Sequence, residues 1–129
     1  MFGSDNKSTA LVLLRIVLGA LMFVHGAARI SNGTVDDFGA YLGSQGLPLG
    51  FYVAWAITLF ELIGSVLLAV GFYTHIIAAL FILELLTGVF LIHWREGWFV
   101  VGAGRNGIEY SVLLIACLAV IGLVNYKRR

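Results

Sequence analysis

Four apolar runs, each close to the roughly 20 residues that a helix needs to cross a bilayer, constrain this chain more than anything else in it. They extend over about residues 9–30, 51–70, 75–94 and 108–126. In hydrocarbon no water satisfies backbone amides and carbonyls, so continuous helix is the economical conformation for each run. A soluble fold is excluded by the same arithmetic. Only 12% of the residues are charged and 60% are hydrophobic, against about 25% charged in ordinary globular domains. A 129-residue chain in water leaves too much surface exposed to hide that quantity of apolar side chain. The expected fold is all-α: a single domain over residues 1–129, forming an integral membrane four-helix bundle.

The connections between the runs differ. Gly71-Phe72-Tyr73-Thr74 is a tight turn that predicts an antiparallel hairpin of the second and third runs. The first loop, Ser31 to Gly50, is long enough to hold structure of its own. Thr34 followed three residues later by Asp37 resembles a capping box, and Val35, Phe38 and Leu42 fall on one helical face. A short interfacial amphipathic helix is therefore expected there, ended by Gly46-Leu47-Pro48. The third loop, Arg95 to Gly107, mixes four glycines with aromatic and charged residues.

Orientation follows from aromatic and basic residues. Phe51, Tyr52, Trp55, Trp94, Trp98 and Tyr110 mark one membrane level, and Tyr73 and Tyr126 the other. Four crossings put both termini on one side, with Lys7 and the Lys127-Arg128-Arg129 tail, so the positive-inside rule places them in the cytoplasm. Arg15 interrupts the first run, whose length exceeds a signal-peptide core, and it reads as a retained helix. Net charge is +1, with no basic stripe, so nucleic acid is not an expected partner. The lipid bilayer is. Cys117 is the only cysteine, which leaves no pair for dithiol chemistry, and on an apolar helix it reads as packing.

Ionisable residues inside the runs are the candidate site, because a charge at the bilayer centre is costly and tends to face the protein interior. Two layers are expected. The deeper one joins Arg15 to Glu61 and Glu84 as an ion pair in which one arginine neutralises one carboxylate. The second acid then carries its proton or shares a hydrogen bond. The outer layer groups His25, Arg29, His93 and Glu109 beneath the aromatic rim, a setting for a polar head group. With Glu61, these four form the candidate substrate-binding set. Each has a plainer reading: Arg15 with Glu61 as a structural pair, and the histidines as mouth residues bonded to backbone or water. His25, His93 and Glu109 match no metal-site spacing, so no metal is assigned. Gly19 and Gly26 share a face with Arg15 and Met22 and would let another helix approach closely. Gly64 and Gly71 are candidates for the same role on the second run.

Taken in order, Arg15, Gly19, His25-Gly26 with Arg29, Gly46-x-Pro48, Glu61-x2-Gly64, Gly71 and Asn106-Gly107-x-Glu109-Tyr110 resemble the pattern of the DoxX family. The resemblance covers nearly the whole chain. It implies a four-helix membrane protein of the prokaryotic cytoplasmic membrane, of a kind commonly named an oxidoreductase or an oxidoreductase-associated subunit. The family takes its name from a thiosulfate:quinone oxidoreductase system, and other relatives are linked to thiol and oxidative stress or to quinone and catechol detoxification. The cofactor it suggests is a quinone. Glu84 has no counterpart in that pattern. Three functions compete on these residues: a redox-linked subunit binding a quinone or similar lipophilic substrate, a non-enzymatic scaffold for a membrane or redox partner protein, and a small proton-coupled transporter. The last needs a pathway wider than four helices supply and points to a homo-oligomer.

Overall fold

The computed structural model describes residues 4–90, 97–98 and 108–126. These residues form five helices and no strands: α1 (Ser4–Ser31), α2 (Val35–Ser44), α3 (Gly50–Val70), α4 (Thr74–Gly88) and α5 (Glu109–Tyr126). The chain divides into two units, Met1–Phe72 and Tyr73–Arg129.

In the first unit, α1 packs antiparallel on α3. Arg15 meets Ala69, Gly19 meets Ser65 and Gly26 meets Thr58, so each step forward on α1 is matched by an equal step back on α3. The buried stripe on α1 is Leu18, Gly19, Met22 and Gly26, at the three- and four-residue spacing that keeps side chains on one helical face. Its counterpart on α3 is Ala54, Thr58, Glu61, Ser65 and Leu68. Small residues set the approach, because a Cβ on Gly19 would lie 2.7 Å from the Ser65 carbonyl oxygen and one on Gly26 would lie 3.0 Å from that of Thr58. The expectation for Gly19 and Gly26 is met. Gly64 acts differently: its missing Cβ makes room for the Phe60 ring of the preceding turn. Gly71 is a C-cap with φ 96°, where the amides of Gly71 and Phe72 both donate to the Leu67 carbonyl.

The first loop contains the expected helix, α2, with Val35, Gly39 and Leu42 buried. It lies across the start of α3, where the Gly39 carbonyl occupies the space a Gly50 side chain would need. Thr34 stands at the N-cap of α2 without making the expected capping bond. Its hydroxyl donates to the Arg29 carbonyl at 3.3 Å instead, closing the α1–α2 turn. The chain leaves α2 through Gly46 (φ 93°) and Pro48, as the turn residues require.

In the second unit, α4 packs on α5. Ile77, Ala78 and Phe81 form the buried stripe of α4, and Leu114, Leu118 and Ile121 that of α5. Two helices, Asn6–Ser31 and Gly50–Val70, are long and apolar enough to cross a membrane; Thr74–Gly88 and Glu109–Val124 are shorter apolar helices. The third expected run, 75–94, is therefore helical over its first part, while residues 91–94 lie outside the described residues. Both units carry large apolar side chains on their surfaces, among them Leu13, Ile63, Leu83, Phe90 and Leu123. Exposed apolar area on this scale calls for lipid rather than water.

Candidate functional site

A salt bridge joins the last turns of α1 to the middle of α3. Arg29 Nη1 donates to Glu61 Oε1 at 2.6 Å and to Thr58 Oγ1 at 3.0 Å. Thr58 in turn donates to the Ala54 carbonyl one turn back, at 2.8 Å. The Glu61 side chain is 3% exposed and that of Arg29 17%, so the carboxylate is dry and the guanidinium has one side open. A different face is covered by Phe38 of α2, whose ring centroid is 4.6 Å from the guanidinium carbon. A cation over an aromatic face contributes about 0.5–2 kcal/mol depending on desolvation.

Local geometry explains the pairing. Every Cα–Cβ bond in a helix tilts toward that helix's N-terminus. Arg29, near the end of α1, therefore leans back into the membrane-length part of the helix. Glu61, on an antiparallel helix, leans the opposite way along the same axis, and the two heads meet. Gly26 leaves the room they need, since a Cβ there would lie 3.2 Å from that of Glu61.

The same tilt overturns the expected Arg15–Glu61 pair. Arg15 leans toward the start of α1, away from Glu61, and its Nε donates to the Ala69 carbonyl at 3.3 Å. Ala69 is eight residues beyond Glu61, about 12 Å along the helix. The carboxylate that Arg15 was expected to neutralise is held by Arg29. Glu84 lies on α4 of the second unit with a buried carboxylate oxygen.

Of the candidate substrate-binding residues, the fold brings Arg29 and Glu61 together. His25 is exposed on another face of α1, where its Nδ1 donates to the Leu21 carbonyl at 2.7 Å. Glu109 opens α5 in the second unit, its amide donating to the Trp98 carbonyl at 2.9 Å. His93 lies outside the described residues. Sequence reasoning missed Thr58 and the ring of Phe38 as partners of Arg29. A signal existed for Thr58, which stands one turn before Glu61 and shares its face.

A cleft of about 120 Å³ opens where the end of α1 meets α2 and α3, lined by Ile30, Gly33, Val35, Asp36 and Trp55. Ile30 adjoins Arg29 in the chain, and Trp55 is one turn before Thr58. Within the pair itself one nitrogen meets one oxygen. Among the described residues, Arg29 Nε and Nη2 and Glu61 Oε2 make no further hydrogen bond. Unused donors on the cation thus stand beside an unused acceptor on the anion.

Helices throughout the described residues, two of them long and apolar enough to cross a membrane, an apolar surface and an internal ion pair point to a small membrane protein. The comparison with known families makes this particular: the DoxX family model matches residues 10–94, and the chain belongs to that family. The matched stretch includes Arg29, Thr58 and Glu61. A curated relative, "Putative oxidoreductase CatD" of Bacillus subtilis (strain 168), is 34% identical over 113 residues, covering 84% of this chain and 77% of the relative. No solved structure matches the chain. The protein is thus a DoxX-type membrane protein related to an oxidoreductase by name.

Proposed function

We propose that this protein is a multi-pass membrane component of an oxidoreductase that holds the polar end of a quinone or similar lipophilic ring at the Arg29–Glu61 pair. It crosses the prokaryotic cytoplasmic membrane four times as a helical bundle, with α4 and α5 completing the crossings begun by α1 and α3 and with both termini in the cytoplasm. The observation that carries the binding reading is the single-point contact between Arg29 and Glu61. A quinone carbonyl needs a donor, which Arg29 Nη2 supplies. A quinol hydroxyl needs an acceptor, which Glu61 Oε2 supplies. One site then accommodates both oxidation states without rearranging, and the cleft beside Ile30 and Trp55 gives the ring an apolar wall. The relative's name supports an oxidoreductase setting. The quinone–quinol couple carries the electrons and a partner protein gives or takes them, since cofactors and not side chains carry such chemistry.

The test is thermal stability of the detergent-purified protein against short-tailed quinones and their quinols, with Glu61→Gln and Arg29→Lys alongside. The reading expects stabilisation by both oxidation states, lost for the quinol first in Glu61→Gln, whose amide is a poorer acceptor. A second reading has its own observation. Arg29 already has two acceptors and a ring, which suits a non-enzymatic scaffold whose ion pair locks α1 to α3. Absence of any ligand shift in a folded wild type, with a large loss of stability in both variants, selects the scaffold.

A further inference from the structure

Arg15 has no part in the pair described above, yet its position is specific. Its Nε is fixed on the Ala69 carbonyl, and its guanidinium carbon and both Nη atoms lie 3.4–3.5 Å from where a Gly71 side chain would begin. Gly71 serves the cap, and the guanidinium lies at ordinary contact distance from it. The arginine sits over the C-terminus of α3, where the backbone carbonyls carry partial negative charge. That contact uses one of its five N–H donors. Among the described residues no carboxylate pairs with it, and both Nη groups lack a hydrogen-bond acceptor. The nearest acid on its own helix, Asp5, is ten residues away, about 15 Å along the axis.

Its depth says what the partner is. The apolar run of α1 begins at about Thr9, so the Arg15 backbone lies about 9 Å inside that boundary. The side chain leans outward, toward the start of α1, as long basic side chains do near a membrane surface. Beside it α3 ends and the chain passes to the exposed Phe72. The guanidinium head therefore ends beside Gly71, just past the last residue of α3, half-buried, anchored at Nε, with its outer edge of two parallel donors unfilled. That edge matches two oxygens of one phosphate, a geometry that a point-like ammonium does not offer.

We propose that Arg15, seated on Ala69 and Gly71, is a binding site for a phosphate group, that of an anionic phospholipid head group or of a soluble phosphate. The site lies about 21 Å along α1 from Arg29 and stands independently of the function proposed at the Arg29–Glu61 pair.

The experiment compares wild type, Arg15→Gln and Arg15→Lys by native mass spectrometry of retained lipid and by thermal stability. The probes are phosphatidylglycerol, phosphatidylcholine and inorganic phosphate. Expected is a preference of wild type for phosphatidylglycerol over phosphatidylcholine of about ten-fold, as bidentate charge-assisted contacts allow, falling to parity in Arg15→Gln. Arg15→Lys keeps the charge but loses the planar edge, and a several-fold loss in it decides the matter even if the glutamine variant fails to fold. Stabilisation of wild type, but not of Arg15→Gln, by inorganic phosphate assigns the same site to a soluble ion. An unchanged lipid preference in both variants, with no response to phosphate, overturns the proposal.

Discussion

At the scale of single side chains, Arg29 and Glu61 illustrate why a buried ion pair is judged by its geometry rather than by its charges. Removing water from two ions costs several kcal/mol each, and the attraction between them offsets this only when hydrogen bonds take up the remaining polar atoms. Here Thr58 and the Phe38 ring assist the cation, while Glu61 keeps one oxygen in reserve. Truncating either partner to alanine strands the other, and each variant is expected to lose about 3–5 kcal/mol of stability. The double replacement Arg29→Met with Glu61→Leu removes both charges and fills the space, and should come within about 1 kcal/mol of wild type. Thermal melts of the three variants beside wild type check both expectations. Arg15→Ala provides the contrast. Because it lies about 12 Å from Glu61 along the helix axis, its effect should add to that of Glu61→Ala within about 0.5 kcal/mol. Strong coupling between those two positions would return Arg15 to the pair it was first expected to form. The sequence marked all three residues as candidates, because charged residues in apolar runs are conspicuous. It paired them by depth, where the direction of side-chain tilt was the deciding variable.

Elements in this protein are joined by what glycine leaves out. Gly19 and Gly26 let α1 approach the backbone of α3, and Gly39 and Gly50 let α2 do the same. A Cβ at Gly19 would collide with a backbone oxygen that has no rotamer to escape into, so Gly19→Ala should cost about 1–3 kcal/mol through forced separation of the helices. Gly26→Ala is expected to cost similarly and also to weaken any ligand response, since it pushes against the Glu61 Cβ. Gly43 is the control. It is exposed on α2 with nothing within 4 Å of a would-be Cβ, and Gly43→Ala should be neutral or gain up to about 1 kcal/mol from helix propensity. Melting temperatures that fail to separate Gly19→Ala from Gly43→Ala would remove close packing as the reason for these glycines. Periodicity made the Gly19–Gly26 face legible. It did not reveal that Gly64 serves a ring on its own helix, because that depends on the Phe60 rotamer.

For the whole molecule the governing fact is an apolar exterior. Leu123, Phe90 and Leu13 are mostly exposed, and a chain with such a surface partitions into lipid by the area it would otherwise present to water. The protein should accordingly stay with the membrane fraction after alkaline carbonate washing. The proposed four crossings make a sharper statement. Reporters fused to the two ends should both be active on the cytoplasmic side, whereas an odd number of crossings would separate them. The helices that pass the length test for spanning are α1 and α3, so this measurement bears directly on α4 and α5.

What the sequence by itself determined was the solvent and the secondary structure. Apolar runs of bilayer length leave helix as the conformation that satisfies the backbone, and the turn residues Gly46, Pro48 and Gly71 punctuate those helices locally. The ordered motifs pointed to the DoxX family, which the family match bears out. Only the tertiary structure decided which charges meet. That outcome depends on the antiparallel register of α1 on α3, on the tilt of Arg29 and Glu61 toward each other, and on a ring from α2 closing over the cation. These are relations between different helices, with Arg29 and Glu61 32 positions apart in the chain, and no local pattern encodes them.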